Sequence, residues 1–197
     1  MPGSLHESLE SYITLEVLLQ LRTIAQSGSP SAIFAGNIEN SASTEINFED
    51  TNYGPHEPDA SFQHYEAQYP GVILELSYSQ KKKDLSRLAN EYILGSDANI
   101  RVVIGIDVEY KGSKKASISI WRPHIGVNDV GEKVLFVLQT VTDQVCSPIN
   151  LRKSDILSNA TSSSATMLET LFLILKQACN CESRTLVLKL LVRNSLI

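Results

Sequence analysis

The fold is decided by residues 72–78, which run Val72-Ile73-Leu74-Glu75-Leu76-Ser77-Tyr78. Successive side chains of a strand point to opposite faces, so this alternation predicts a β-strand. It places Glu75 and Ser77 on the same face, away from the apolar side chains at 72, 74 and 76. A charged carboxylate among apolar neighbours is costly unless a cation or a hydrogen-bond donor accompanies it. Glu75 is therefore the first candidate for a functional residue.

A helix is predicted on each side of this strand. Residues 5–25 place apolar side chains at helical spacing, and Ser27-Gly28-Ser29-Pro30 ends that run. After the strand, Ser79 is a candidate N-cap for a second helix that stops at Gly95. The apolar stripe of this second helix consists of Leu85, Leu88, Ala89 and Tyr92.

Further strands are predicted before and after these helices. They cover Ile33–Ala35, Glu45–Phe48, Ile100–Tyr110, Ala116–Trp121 and Lys133–Thr142, with Arg122-Pro123 ending the fourth. This order of helices and strands predicts a mixed α/β domain. A Ser/Thr-rich stretch begins near Ser158. We therefore expect one domain over residues 1–157, followed over 158–197 by a linker and an apolar tail of uncertain structure.

The composition is that of a globular protein. The chain has 197 residues, of which 43% are hydrophobic and 20% are charged. No run approaches the roughly 18 apolar residues of a membrane span. The N-terminus lacks the pattern of a signal peptide, and three cysteines make no complete disulfide framework. These features predict an intracellular protein with no membrane partner, in the cytoplasm or the nucleus.

The charges are unevenly distributed around a net charge of −5. Residues 1–78 hold one basic and eleven acidic side chains, whereas residues 79–123 hold nine basic and five acidic ones. Ordinary scatter of surface charge explains this pattern. A site where carboxylates hold a metal beside basic residues that meet an anion explains it as well.

Two acidic residues are candidates for such a metal site. Asp59 follows Pro58 and precedes Glu75 by sixteen residues, so a hairpin would bring the two carboxylates together. Paired oxygen donors with open water positions suit Mg²⁺ or Mn²⁺ beside a phosphate. Lys81, near the start of the second helix, would supply a nearby cation, and a nucleic-acid backbone would meet Lys82, Lys83 and Arg87. A solvated basic first turn is the alternative interpretation.

A resemblance rests on Pro58-Asp59, the strand through Ser79, the segment Asp84–Tyr92 and Val102–Asp107. In these segments the chain resembles the PD-(D/E)XK phosphodiesterase superfamily, and within it a family of small restriction-endonuclease-like proteins. The resemblance covers about residues 5–157. It implies a restriction-endonuclease-like mixed β-sheet flanked by helices and Mg²⁺-dependent cleavage of DNA. It further implies metal ligation by Asp59 and Glu75, with Asp107 as an accessory acid.

The sequence departs from this superfamily at one position. Ser77 stands where the superfamily carries a lysine, and Lys81, with Gln80 behind it, is the candidate replacement. Glu16 on the first helix is a further accessory candidate, as is Ser77 itself. An alternative function is an inactive nuclease-fold module that binds nucleic acid or a protein. Another is a subunit that docks a partner or a second copy through the apolar tail.

Overall fold

The computed structural model describes residues 3–48, 52–78, 84–108 and 116–146. Among those residues, no helix combines the length and the hydrophobicity that a bilayer span requires. The tail that we assigned to residues 158–197 lies outside the described ranges.

Three helices and six strands make up the described part of the chain. The helices are α1 (Gly3–Ala25), α2 (Ala32–Gly36) and α3 (Leu85–Gly95). The strands are β1 (Ile38–Asn40), β2 (Ala60–His64), β3 (Val72–Tyr78), β4 (Val102–Val108), β5 (Ala116–Val127) and β6 (Lys133–Cys146).

The six strands form one mixed sheet in the order β1-β2-β3-β4-β5-β6. β3 and β4 are parallel, and every other neighbouring pair is antiparallel. A parallel pair needs a crossover connection, and α3 provides it between β3 and β4. The expected α/β fold, a mixed β-sheet flanked by helices, is confirmed.

The helices cover opposite faces of the sheet. On one face, the apolar side chains that recur at helical spacing on α1 pack onto the even-numbered residues of β3. This core includes Leu9, Ile13, Val17, Leu21, Val72, Leu74 and Leu76. On the other face, α3 packs Ala89, Tyr92 and Ile93 against Ile73 and Val103. Because Glu75 shares the parity of Ile73, it faces the α3 layer.

The segment Ile33–Ala35 is helical, so the strand predicted there is wrong. It belongs to α2, in which the Ala35 amide donates to the Ser31 carbonyl over 2.9 Å. Ala35 is 2% exposed and belongs to the core that α1 forms. Packing against α1 therefore overrides the β-propensity of Ile33 and Phe34. The strand predicted at Glu45–Phe48 is reduced to one antiparallel bridge between Ile46 and His56.

Two predicted boundaries are also wrong. β5 continues past Pro123 to Val127. The pairing of β4 with β5 ends at Trp121, so Pro123, which has no N–H, breaks no hydrogen bond to β4. α3 begins at Leu85, and its N-cap is Asp84 rather than Ser79. The Asp84 carboxylate accepts a hydrogen bond from the Arg87 amide over 3.1 Å.

Candidate functional site

Asp59 immediately precedes β2 and contacts β3 next to Glu75, because its carboxylate accepts a hydrogen bond from the Leu76 amide. The antiparallel register pairs Ala60 with Leu74, so the next residue on each side is Asp59 and Glu75. The hairpin expected from the sequence is present, and it brings Asp59, just before β2, beside the β3 residues that follow Leu74.

Glu75 is held by a tyrosine from α3. The Tyr92 hydroxyl donates to Glu75 Oε1 over 2.7 Å, and neither residue is more than 1% exposed. Burial, followed by the negative charges of Glu75 and Asp59, raises the pKa of Tyr92 well above its ordinary value. The hydroxyl therefore stays protonated and remains a donor. That the Asp59 charge also acts on this hydroxyl indicates that both acids lie near it.

Asp59 is held from two directions. Its Oδ2 accepts a hydrogen bond from the Leu76 amide of β3 over 2.5 Å. Its Oδ1 lies 3.1 Å from His6 Nε2, which α1 supplies from the other face of the sheet. The Asp59 carboxylate is thereby held in place just before the first residue of β2.

Polar side chains extend from Glu75 across the neighbouring strands. The parallel register sets Glu75 beside Gly105 and Ser77 beside Asp107. The next strand continues these rows, with Ser119 beside Gly105 and Ser117 beside Asp107. This row arrangement gives the α3 face a polar end, whereas the rest of that face is apolar.

A cavity of about 340 Å³ opens over this polar end. Its lining includes Asp107, Ser117 and Ser119 from the sheet, Asp84 from the start of α3, and Asp143 from β6. Ser119 Oγ bonds both the Asp143 amide, at 3.1 Å, and Asp143 Oδ1, at 3.2 Å. Asp107 Oδ1 is buried and makes no hydrogen bond within the described part of the chain. Asp107, expected to be accessory, thus lies next to Ser77 in the wall of this cavity.

The basic residues expected at the site are only partly within the described ranges. Lys81, Gln80, Lys82 and Lys83 lie outside them. Arg87 is described and is exposed, but Glu91 Oε1 lies 2.6 Å from its Nη1 and raises its pKa further.

Glu16 is not brought to the acids. Its Oε1 accepts a hydrogen bond from the Gln20 side chain on the same helix. Ten residues separate it from His6, the α1 residue that contacts Asp59, and ten residues of helix span about 15 Å.

Sequence reasoning missed the roles of Tyr92 and His6. Tyr92 was assigned only to an apolar stripe, yet a buried tyrosine hydroxyl normally finds a hydrogen-bond partner. Glu75, on the adjacent strand, needed a donor. These two requirements together would have paired the residues. Nothing in the sequence pattern signals the contact between His6 and Asp59, because it depends on how α1 packs on the sheet.

Two carboxylates, those of Asp59 and Glu75, are the oxygen donors available to the metal expected from the sequence. The described residues contain no group of three or more His, Cys, Asp or Glu side chains that could hold a metal. Mg²⁺, however, is commonly bound by one or two carboxylates and completes its shell with water and substrate phosphate oxygens. Asp59 and Glu75 supply two carboxylates, and they would be the residues that hold such an ion.

The chain was compared with protein-family models, curated proteins and solved structures, and none of them matches it.

Proposed function

We propose that this protein is a metal-dependent nuclease domain that cleaves phosphodiester bonds in DNA and holds Mg²⁺ or Mn²⁺ between Asp59 and Glu75. The observation that carries the proposal is the hydrogen bond from the Leu76 amide to Asp59, which holds the Asp59 carboxylate against β3 next to Glu75. The resemblance of the sequence to PD-(D/E)XK phosphodiesterases supports the same pair of ligands.

The chain's own residues prepare the two carboxylates for this role. The Tyr92 hydroxyl donates a hydrogen bond to Glu75 Oε1. The His6 side chain and the Leu76 amide both contact the Asp59 carboxylate. Such contacts hold ligand oxygens in one orientation and limit the reorganisation needed on binding. A bound Mg²⁺ supplies Lewis-acid activation of water and neutralises charge on the phosphodiester. Lys81 is proposed to position water or stabilise that charge.

The DNA backbone is proposed to meet Lys82, Lys83 and Arg87. Each phosphate contact from a basic side chain releases counterions and makes binding sensitive to salt. Arg87 forms an ion pair with Glu91, so it contributes less to the salt sensitivity of DNA binding than an unpaired arginine would. The proposal therefore requires most of the salt sensitivity to come from the two lysines.

A second candidate is an inactive nuclease-fold module that binds nucleic acid or a protein. Two observations favour it. Glu75 is 1% exposed and already bonded to Tyr92, and the residue where the superfamily carries lysine is the buried Ser77. In that case the acids keep a structural role while the fold retains a binding surface.

One assay separates the two candidates. The full chain is incubated with single-stranded and double-stranded DNA, with Mg²⁺, Mn²⁺ or EDTA, beside the variants Asp59→Asn and Glu75→Gln. Asp97→Asn is the matched control, because Asp97 is exposed and its positive φ of 48° suits asparagine. Metal-dependent cleavage that is lost in both site variants supports the nuclease. Salt-sensitive binding without cleavage supports the module. A chain that neither cleaves nor binds DNA contradicts the nuclease.

A further inference from the structure

Exposed apolar side chains are concentrated on the hairpin formed by β5 and β6. Of the large hydrophobic residues that the described part of the chain leaves exposed, five fall within residues 125–138, namely Ile125, Val127, Val130, Phe136 and Leu138. Phe136 is 42% exposed and Leu138 is 50% exposed, and both lie on β6. Phe136 and Leu138 lie on one face of the hairpin, whereas Ile125 and Val127 lie on the other, so the apolar exposure on β6 itself is that of Phe136 and Leu138.

β6 is also an edge strand. It ends the strand order, and within the described residues β5 is its only partner. Natural edge strands are usually protected by charges, proline or bulges. Residues 134–142 contain neither a charge nor a proline. The irregular pairings with β5 fall between Ile118 and Trp121, so the first half of β6 is regular and presents an unprotected edge.

We propose that this edge pairs with β6 of a second copy of the chain, antiparallel and centred on Phe136. In that register Val134 lies opposite the partner's Leu138, and Leu135 lies opposite the partner's Val137. Phe136 lies opposite the partner's Phe136 on the two-fold axis, so the exposed aromatic rings cover each other.

The pattern of side chains identifies the occupant as a second copy. The same seven residues, Lys133–Gln139, supply both sides of the pairing, and apolar residues oppose apolar residues at every position from 134 to 138. The single charged residue, Lys133, meets the partner's uncharged Gln139, so no like charges oppose each other. This self-complementarity is what an isologous two-fold interface requires. An edge adapted to a different protein has no need of it.

The mass of the full chain in solution tests the proposal. Sedimentation velocity is expected to give a species with twice the 21.7 kDa mass of the single chain. A lysine on the strand edge should disrupt the pairing, so Phe136→Lys and Leu138→Lys should each sediment as a monomer with an unchanged far-UV circular dichroism spectrum. Ile33→Lys is the control, because Ile33 is 81% exposed but lies on α2, and this variant should remain a dimer.

Cross-linking tests the register itself. A cysteine at position 136 would oppose its own copy at a distance that a disulfide can span. Under mild oxidation Phe136→Cys should form a covalent dimer beyond the level of the wild-type chain, whose own cysteines provide the background. Ile125→Cys, on β5, should not exceed that background. A monomeric wild-type chain, or a dimer that both lysine variants leave intact, would overturn the proposal.

Discussion

Tyr92 and Glu75 share a hydrogen bond of 2.7 Å in a part of the molecule from which solvent is excluded. The Tyr92→Phe variant removes the donor and leaves a buried carboxylate with one partner fewer. We expect the free energy of unfolding to fall by about 1–3 kcal/mol in urea denaturation, because a buried polar group that loses its partner bears the cost of its desolvation.

Tyr65→Phe is the matched control for this variant. Tyr65 also donates to a glutamate, Glu66, over 2.9 Å, but it is exposed. Water replaces the lost hydrogen bond there, so we expect no measurable change in stability. Equal effects of the two variants would mean that the contact between Tyr92 and Glu75 contributes nothing specific.

Alkaline pH should destabilise the protein through Tyr92. Its pKa is raised in the folded state above its ordinary value of 10.0, mainly by burial and then by Glu75. A group whose folded-state pKa is raised contributes stability that is complete below the unfolded-state pKa and is lost as the pH rises above it. Stability should therefore decline above about pH 10. This part of the decline should be absent in Tyr92→Phe when urea midpoints are compared between pH 9 and pH 11, and an identical decline in both proteins would contradict the assignment.

The sequence predicts the sheet better than it predicts the site. The alternation in residues 72–78 predicted the position of β3 and the face on which Glu75 lies, because the two-residue period of a strand is a local property. The expected hairpin of β2 and β3 is present, and it brings Asp59 beside β3. Contacts between layers were not accessible in this way, since His6 reaches Asp59 only through the packing of α1 on the sheet.

The predictions at Pro123 and at Ile33–Ala35 are wrong for a related reason. Proline at 123 is a strong local stop signal, yet β5 continues because β6 alone among the described strands pairs with it beyond Trp121. Ile33 and Phe34 favour a strand locally, but packing beside α1 selects a helical turn. In both cases a neighbouring element, absent from the local pattern, decides the outcome.

His6 should tune metal binding without taking part in it. The His6→Ala variant removes the group that restrains Asp59 Oδ1. Loss of a contact to a ligating side chain typically weakens metal binding by about 10- to 100-fold, so we expect a loss in Mn²⁺ affinity of that size in isothermal titration calorimetry. Alanine favours the helix, so α1 should persist. His124→Ala, at an exposed position on β5, is the control and should bind Mn²⁺ as the wild type does. If the two variants bind Mn²⁺ with the same affinity, His6 has no such role.

Gly105 keeps space for two large side chains under the cavity. A Cβ atom at this position would lie 2.8 Å from Trp121 Cζ3 and 3.0 Å from Leu85 Cδ1. Overpacking of a dense core costs about 1–3 kcal/mol, so Gly105→Ala should lower the urea midpoint. Gly54→Ala is the control, because a Cβ at Gly54 meets no atom within 4 Å. A Gly105→Ala protein as stable as the control would show that Trp121 can move aside.

The most direct test of the proposed metal site is a crystal structure of the full chain soaked with Mn²⁺ and measured at a wavelength with strong manganese anomalous scattering. We expect one anomalous peak within coordinating distance of one oxygen from Asp59 and one from Glu75, and we expect no peak there in Glu75→Gln. An anomalous map without a peak between these two carboxylates, at Mn²⁺ concentrations that saturate ordinary Mg²⁺ enzymes, would contradict the proposed site.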